Sequence, residues 1–503
     1  MNETLLIRAD ASPLIGTGHV MRCLALAEPW LKAGAAVTFV SAELPMELAK
    51  RVQGSGVKLH SLSAKPGSEA DANEFAQFAA RRKADWLVVD GYHFDADYQR
   101  ALKRAGQRVL FFDDFGHAKF YSADFVLNQN LGASENLYRN REPETQLLLG
   151  TRFVQLRGEF SRWHDWQRTV PPRAHKILAT LGGSDAENVT LKVIEAVGQF
   201  PDMDLETTVV IGGSNPHAEG LKSLITHYAS RMRLNQNAED MPELMAHADL
   251  AIAAGGTTAW ELAFMGLPAL MMVMAENQRS NAEQLQSDGI AQNLGWHKEL
   301  SPEKIAAEMV RLAGDFRARS AMSKRGRQLV DGRGSFRVWL HLNERRLRLR
   351  RATPEDARRI WEWANEPAVR AVSFSPENIL RDEHDAWLAA KLADPNCVFW
   401  IADDAAGIPA GMIRFDLRDG TAVVSVSLDK SERGKNLGAL LIWSACRKLF
   451  RESAAAEVNA CIKPDNQASI RAFQKAGFEQ TSRIMVKGQP ALRFRLKHDG
   501  NEM

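Results

Sequence analysis

A histidine behind a glycine turn is the residue of this sequence best placed to do chemistry. The turn Gly16-Thr17-Gly18 follows an apolar run and leads into an amphipathic segment that predicts a helix. His19 lies in the first turn of that helix, where the helix dipole disfavours an imidazolium. A neutral imidazole accepts a proton, so we predict that His19 is a general base. The same pattern can merely close a βα unit, so the rest of the chain must decide.

The elements around His19 predict a parallel sheet over residues 1–165. Strand-like apolar runs alternate there with helical patterns, which is typical of a sheet covered by helices on both faces. Ligands of such sheets bind beyond the carboxyl ends of the strands. Polar residues recur at those ends, and we predict that they line a site; they are Asp90 with Tyr92, Asp113 with Asp114, and Asn128 with Asn130.

A second α/β pattern over residues 172–340 repeats the strand, glycine turn and helix. Trp163, Trp166 and Pro171-Pro172 indicate a linker before it. The turn at 255–258 (Gly-Gly-Thr-Thr) offers backbone and hydroxyl donors to a diphosphate. Glu261 follows in the helix and can accept hydrogen bonds from a ribose diol. Asn277 and Gln278 supply amides suited to sugar hydroxyl or acetamido groups.

Composition narrows the class of protein. A length of 503 residues suggests three domains, and a formal net charge of +2 predicts neither nucleic acid nor an acidic membrane as a partner. The N-terminus lacks the pattern of a signal peptide, and no apolar run approaches the roughly 20 residues of a membrane span. The four cysteines show no metal or redox spacing. We therefore predict a cytoplasmic protein with no metal, whose oligomeric state the sequence leaves open.

A third region begins near residue 346. The alternation Arg346-Leu347-Arg348-Leu349-Arg350 predicts a half-buried strand with solvated arginines, and Thr353-Pro354 predicts a helix start. Later, a strand ending at Leu428 leads into the turn 433–438, whose backbone N–H groups would wrap a diphosphate. A helix from Asn466 that ends at Gly477-Phe478 completes the pattern.

The first 340 residues resemble the B-type glycosyltransferase fold, in which two Rossmann-like domains clasp a nucleotide-sugar. Within it they are most similar to the UDP-sugar hydrolase family of pseudaminic acid biosynthesis, through Arg8-Ala9-Asp10, the segment 15–23 around His19, Gly182-Gly183-Ser184-Asp185 and Glu276-Asn277-Gln278. The resemblance implies that His19 activates a water that displaces UDP, with inversion at the anomeric carbon. It implies substrate contacts at Gly16, Thr17, Gly18, Arg22, Asp90, Tyr92, Asn277 and Gln278. It implies UDP contacts at Gly183, Ser184, Met241, Gly255, Gly256, Thr257, Thr258 and Glu261.

The third region resembles the GNAT acetyltransferases, which use acetyl-CoA. Two departures stand out: Asn436 replaces the first glycine of the diphosphate turn, and Phe473 occupies the place of a tyrosine general acid. Asn tolerates the unusual φ that such a turn requires. The resemblance implies acetyl-CoA contacts at Val426, Leu428, Arg433, Gly434, Lys435, Asn436, Leu437, Gly438, Ala439, Asn466, Ser469 and Phe473. It also makes His384 a candidate substrate contact or base.

Together these patterns predict an α/β protein with two Rossmann-like domains in a B-type glycosyltransferase arrangement, followed by a GNAT α/β domain. The predicted bounds are 1–165, 172–340 and 346–498. A fusion of the hydrolase with the UDP-4-amino-sugar N-acetyltransferase of the same pathway is the simplest interpretation. A glycosyltransferase with an acetyl-CoA-sensing C-terminal domain, or the same chemistry on a neighbouring nucleotide-sugar such as one of spore-coat polysaccharide synthesis, remain alternatives.

Overall fold

The computed structural model describes residues 3–12, 15–183, 185–199, 205–213, 215–227 and 231–498. The chain divides into two compact units, Met1–Val338 and Trp339–Met503. Over the ranges just given, no helix is both long enough and apolar enough to cross a membrane.

The first half of the first unit is built on a parallel seven-stranded sheet. Its strand order is β3-β2-β1-β4-β5-β6-β7. The elements are β1 Thr4–Ala9, α1 Gly18–Lys32, β2 Ala36–Ser41, α2 Met46–Gly54, β3 Lys58–Ser61, α3 Glu69–Arg82, β4 Trp86–Asp90, α4 Ala96–Arg104, β5 Val109–Phe112, β6 Phe125–Asn128 and β7 Gln146–Leu149. The central strand β5 is apolar along its whole length, and β4 is apolar up to its last residue, Asp90, because helices cover both faces.

The strand order explains where this half can hold a ligand. β1 pairs with β2 on one side and with β4 on the other, so the chain leaves β1 in one direction and returns in the other. Such a switch point opens a crevice at the carboxyl ends of the two strands. The start of α1, after β1, and Asp90, the last residue of β4, both lie at this crevice.

The second half of the first unit repeats the plan with six parallel strands in the order β10-β9-β8-β11-β12-β13. Its switch point lies between β8 and β11, whose following loops carry the two glycine-rich turns. The elements are β8 Lys176–Thr180, α5 Val189–Gly198, β9 Glu206–Ile211, α6 Ala218–Thr226, β10 Met232–Gln236, α7 Met241–His247, β11 Leu250–Ala254, α8 Thr258–Phe264, β12 Ala269–Val273, α9 Arg279–Ser287, β13 Gln292–Trp296, α10 Pro302–Gly314 and α11 Phe316–Leu329. The next helix, α12 Gly334–Asn343, contains the boundary between the two units.

The predicted linker at 163–172 is packed firmly onto the second half. Trp163 and Trp166 lie against the core of that half. Arg168 donates to the carbonyl oxygens of Met245, Ala248 and Met265. Arg319, in the Arg- and Lys-rich helix α11, is fully buried and donates to the carbonyls of Pro171 and Pro172.

The second unit is built on a mixed seven-stranded sheet in the order β14-β15-β16-β17-β18-β20-β19. Its only parallel pair among the described strands is β17 with β18. The elements are β14 Arg348–Arg351, α13 Ala357–Asn365, α14 Pro367–Ala371, α15 Arg381–Ala393, β15 Cys397–Asp403, β16 Pro409–Arg418, β17 Thr421–Leu428, α16 Leu437–Glu452, β18 Glu457–Ile462, α17 Gln467–Lys475, β19 Glu479–Val486 and β20 Gln489–Lys497. The predicted fold class is confirmed.

Candidate functional site

His19 and a buried carboxylate form the centre of the crevice in the first half. The Nδ1 atom of His19 lies 2.7 Å from Oδ1 of Asp90, which is fully buried. An ionised carboxylate can only accept, so Nδ1 carries the proton and Nε2 is left as the basic nitrogen of the neutral ring. A nitrogen of Arg22 also lies 3.3 Å from Nδ1, but the shorter contact decides the tautomer. The arrangement is that of a general base oriented by a carboxylate.

Arg22 balances the charge of that carboxylate. Its Nε and Nη2 atoms donate to the two oxygens of Asp90, each at 2.7 Å. Burial alone raises the pKa of a carboxyl, but the charge of Arg22 holds the pKa of Asp90 well below its ordinary value. The resemblance implied substrate contacts at Asp90 and Arg22; both are instead buried and committed to each other, so they position His19 from behind. The predicted helix dipole is thus accompanied by an ion pair that the sequence did not reveal.

Tyr92 connects the two halves of the first unit beside His19. Its ring meets the His19 ring edge to face, with 4.8 Å between the ring centres. Its hydroxyl donates to Asp114 at 2.6 Å and accepts from the Asn277 amide at 2.8 Å. Asp114 also accepts from Nη1 of Arg22. A chain of hydrogen bonds therefore runs from the imidazole to Asn277 in the opposite half. Tyr92 and Asn277, which were both predicted as substrate contacts, are hydrogen-bonded to each other.

The glycine turns of both halves approach each other at the same place. A Cβ on Gly183 would lie 2.7 Å from Oγ1 of Thr17, and a Cβ on Gly18 would lie 3.8 Å from Oγ1 of Thr257. Gly16 has φ of +79°, a conformation that favours glycine. Residues predicted from distant parts of the sequence, around His19, Gly183 and Thr257, are thus brought together. Ser184 lies outside the described residues.

Three residues of the second half that were predicted to contact a ligand make contacts within the protein. Glu261 accepts two hydrogen bonds from Arg157, at 2.7 and 2.9 Å, a pairing that nothing in the sequence pattern indicated. Gln278 lies against the turn, since a Cβ on Gly256 would be 3.5 Å from its Nε2. Met241 is buried in the core, so its side chain offers no surface to a nucleotide. The helix behind Gly255, Gly256, Thr257 and Thr258 has seven residues, and the donors of the turn itself therefore matter more than a helix dipole.

A second buried carboxylate holds the loop that carries Asp114. Asp113 accepts the backbone N–H groups of Phe115 and Gly116 at 2.7 and 2.5 Å, and it pairs with Nδ1 of His117 at 2.8 Å. Burial raises the pKa of such a carboxyl, but the hydrogen bond from His117 and its charge lower it to about 2. The same pairing raises the pKa of His117, although burial opposes this.

This carboxylate makes stability depend on pH. A depressed pKa contributes stability above the unfolded value, near 3.8, and loses it as the pH falls toward 2. We expect Asp113→Asn to lower the melting temperature at pH 7 through a loss of about 2 kcal/mol. The gap between wild type and variant should narrow below about pH 4, measured by scanning fluorimetry. A gap that stays constant from pH 7 to pH 3 would contradict this assignment.

In the second unit, the turn between β17 and α16 has the predicted left-handed conformations. Gly434 has φ of +81° and Asn436 has φ of +62°, so asparagine does what the missing glycine would do. Lys475 donates to Oδ1 of Asn436 at 2.7 Å. Lys435, Leu437, Gly438 and Ala439 complete the turn and open α16, where only backbone groups of the buried Leu437 and Ala439 are available to a ligand.

The sheet opens beside this turn. The described pairing of β17 with β18 covers only Thr421–Val423 against Glu457–Asn459, while β17 continues along β16 to Leu428 and β18 continues along β20 to Ile462. Val426 and Leu428 therefore lie on the part of β17 that no longer pairs with β18 in the described register. Free backbone groups of such a strand can pair with amides of an extended ligand.

A groove of about 540 Å³ adjoins the same end of β17. Its lining consists of Arg359, Trp361, Glu362, Trp363, Asn365, Glu366, Pro367, Asp429 and Lys430. Glu366 also binds Nη1 of Arg433 at 2.8 Å, and Arg433 donates to the carbonyl of Leu428 as well. Glu366 and Asp429 were not predicted from the sequence, although Asp429 is a carboxylate directly after a strand, as Asp113 is in the first unit.

Two predicted ligand contacts of the second unit have buried side chains. His384 is inaccessible, burial lowers its pKa, and its Nε2 lacks a hydrogen-bond partner within the described residues. In this conformation it presents no surface to a substrate. Phe473 packs edge to face on Phe478 inside the core. Asn466 instead caps α17 by accepting the N–H of Ser469, so this pair shapes the helix start.

Comparisons with known proteins find similarity in both units. Residues 177–331 match the glycosyltransferase family 28 C-terminal domain, and residues 346–479 match the acetyltransferase (GNAT) domain. A spore coat polysaccharide biosynthesis protein of Bacillus subtilis is 29% identical and covers 66% of this chain and 95% of its own. The UDP-2,4-diacetamido-2,4,6-trideoxy-β-L-altropyranose hydrolase of Campylobacter jejuni is 24% identical and covers 57% of this chain and 97% of its own.

A third relative spans both units. An uncharacterized protein of Methanocaldococcus jannaschii is 23% identical over 95% of this chain and 97% of its own length. The combination of the two units is therefore shared with another protein. The chain thus joins a region similar to proteins named as UDP-2,4-diacetamido-2,4,6-trideoxy-β-L-altropyranose hydrolases, part of which matches the glycosyltransferase family 28 C-terminal domain, to a region that matches the acetyltransferase (GNAT) domain.

Proposed function

We propose that the chain is a bifunctional enzyme of pseudaminic acid biosynthesis. The first unit hydrolyses UDP-2,4-diacetamido-2,4,6-trideoxy-β-L-altropyranose to UDP and the free sugar. The second unit transfers the acetyl group of acetyl-CoA to the 4-amino group of UDP-4-amino-4,6-dideoxy-N-acetyl-β-L-altrosamine. The observation that carries the proposal is the His19–Asp90 pair at a crevice lined by the glycine turns of both halves.

Hydrolysis needs one base and a stabilised leaving group. Nε2 of His19 removes a proton from water as its oxygen attacks the anomeric carbon, and the bond from that carbon to the UDP oxygen breaks. Attack from the face opposite UDP inverts the configuration. Asp90 and Arg22 hold the ring in the tautomer that leaves Nε2 free to accept the proton.

UDP leaves without an acid if its charge is stabilised. Donors to the diphosphate of UDP come from the backbone and hydroxyl groups of Gly255–Thr258 and from the turn at Gly183, and the close approach of both turns to the turn before His19 supports this role. Exclusion of water between the two halves strengthens such interactions. The Campylobacter relative, named for a UDP-sugar, supports this substrate.

Acetyl transfer fits the second unit. The turn 433–438 binds the diphosphate of acetyl-CoA, and the open end of β17 pairs with its amide-containing arm. The carboxylates of Glu362, Glu366 and Asp429 in the adjoining groove favour an amine. The amine nitrogen attacks the thioester carbon, the carbon–sulfur bond breaks, and CoA departs. Because Phe473 cannot donate a proton, catalysis depends on positioning.

One incubation tests both activities. The protein is given acetyl-CoA and the UDP-4-amino sugar, and products are followed by mass and by free-thiol release. We expect the mass of the acetylated UDP-sugar first, then UDP and free diacetamido sugar without any added acceptor. No thiol release would favour an acetyl-CoA sensor, and UDP release that requires an acceptor would favour a glycosyltransferase.

The ion pair of Arg433 yields a prediction on acetyl-CoA binding. Glu366 neutralises this guanidinium, so a diphosphate must compete with it. Glu366→Gln is expected to tighten CoA binding about two- to five-fold, the worth of a partly exposed ion pair. Isothermal titration measures the change, with Glu362→Gln as the matched control, because Glu362 lines the same groove and pairs with Arg358 instead. Weaker binding by the Glu366 variant would show that the pair orients Arg433 for its ligand.

A further inference from the structure

Three apolar side chains are exposed beside the crevice of the first unit. Tyr92, Phe115 and Leu137, here called the apolar face, are 36%, 45% and 38% exposed. Large apolar side chains that cluster at a surface mark binding sites more often than isolated ones do. The hydrogen bonds of Tyr92 use only its hydroxyl, so the ring remains available for contact.

The apolar face is continuous with the catalytic imidazole. The ring centre of Tyr92 lies 4.8 Å from that of His19 and 5.2 Å from that of Phe115. Leu137 packs over Gly116, where an added Cβ would lie 3.1 Å from the Leu137 carbonyl oxygen and 3.3 Å from its Cβ. Tyr92 therefore contacts both His19 and Phe115, and the apolar face begins directly beside the imidazole.

The loop that carries Phe115 is fixed in place. Asp113 binds the N–H groups of Phe115 and Gly116, and Gly116 has φ of +79°, which a side chain would strain. Asp114, the neighbouring charge, is already bound by Arg22, Tyr92 and Asn130. The surface offered at Phe115 is thus apolar and preformed.

We propose that the apolar face selects a sugar that carries methyl groups, with Phe115 and Leu137 as specificity-determining residues. The inference rests on the proposed hydrolysis of a 6-deoxy, diacetamido sugar. Transfer of a methyl group from water to such a surface lowers the free energy. A hydroxyl or an ammonium group loses its hydration there, which raises the free energy. The substrate carries three methyl groups, one at C6 and one in each acetamido group, and analogues that change C6 or the 4-acetamido group test two of them separately.

The kinetics of two variants test this proposal. Phe115→Ala and Leu137→Ala are expected to lower kcat/KM for UDP release roughly 10-fold, the worth of a few methyl contacts. The dissociation constant of UDP alone should stay unchanged, because UDP lacks the sugar, and Phe115→Leu should restore most of the activity. Phe316→Ala is the matched control, since Phe316 is 46% exposed on α11. A general loss of structure would instead weaken UDP binding as well.

Substrate analogues identify the methyl group. Wild type should discriminate against either the 6-hydroxy analogue or the 4-amino sugar by roughly 10-fold, and the Phe115 variant should lose that discrimination. An active wild type whose variants behave unchanged would overturn the apolar face alone. A wild type inactive on the diacetamido sugar would overturn the proposed hydrolysis and this inference with it. A change in oligomeric state by light scattering, with kcat/KM unchanged, would assign the face to a second copy of the chain and overturn the proposal.

Discussion

His19→Asn should abolish UDP release from the diacetamido UDP-sugar while acetyl transfer by the second unit continues. General base catalysis contributes about 10²- to 10⁴-fold, and asparagine cannot accept the proton of the attacking water. Asparagine retains a group able to donate to Asp90, so the buried carboxylate keeps a partner. UDP formation is followed by a coupled assay and CoA release by a thiol reagent.

A second histidine provides the control for this variant. His247 is exposed on α7 and bonds to the Glu243 carbonyl within its own helix, so His247→Asn should leave both activities unchanged. Equal loss of hydrolysis and acetyl transfer in the His19 variant would contradict the assignment of one activity to each unit. Full hydrolysis in that variant would remove His19 from the mechanism.

Asp90→Asn is expected to lower the rate of UDP release roughly 10³-fold even in folded protein. An amide at this position can donate to Nδ1 and so place the ring proton on Nε2, where it blocks the base. The variant also leaves the guanidinium of Arg22 buried without its closest counter-charge, a loss of about 3–5 kcal/mol of stability. Rates are therefore measured well below the melting temperature, which scanning fluorimetry supplies.

The outcome separates orientation from stability. Asp97→Asn serves as the control, because Asp97 is a solvated carboxylate in the first turn of α4 and pairs only with Arg100 among its described salt bridges. A folded Asp90 variant with the wild-type rate would refute the tautomer argument. A variant that melts earlier yet hydrolyses normally would reduce Asp90 to a structural ion-pair partner.

The central strands could be predicted from the sequence because they are buried on both faces. The run Leu250–Ala254 is apolar throughout and Trp86–Asp90 is apolar up to its last residue, and β11 and β4 have these bounds. The edge strands β3, β13 and β19 were not predicted, since their residues are half-exposed or exposed and carry many polar side chains. A strand that is buried on both faces needs apolar side chains, and the sequence shows them as a continuous run. A strand at the edge of a sheet pairs through its backbone groups, so its side chains can be polar.

The candidate site likewise contains residues that the local sequence indicates and partners that it does not. His19, Gly255 and Gly434 could be predicted because each lies at a glycine turn that precedes a helix, and neighbouring residues in the sequence indicate such a turn. The partners of these residues lie far away in sequence: Asp90 reaches His19 only through the strand order, and Arg157 reaches Glu261 only through the fold of the first unit. Such pairs leave no local pattern, so the contact between Asp90 and His19 could not be predicted from the sequence, although both residues were named as candidates.

The segment Trp163–Pro172 determines how the second half of the first unit can be isolated. The indole rings of Trp163 and Trp166 pack on core residues of that half, and the guanidinium of Arg168 donates to its carbonyl oxygens. Arg319 in turn donates to the carbonyls of the two prolines of the segment. A fragment that begins at Lys176 would lack this segment and would expose the apolar surface that the segment covers. A stable excised half must therefore start upstream of Trp163.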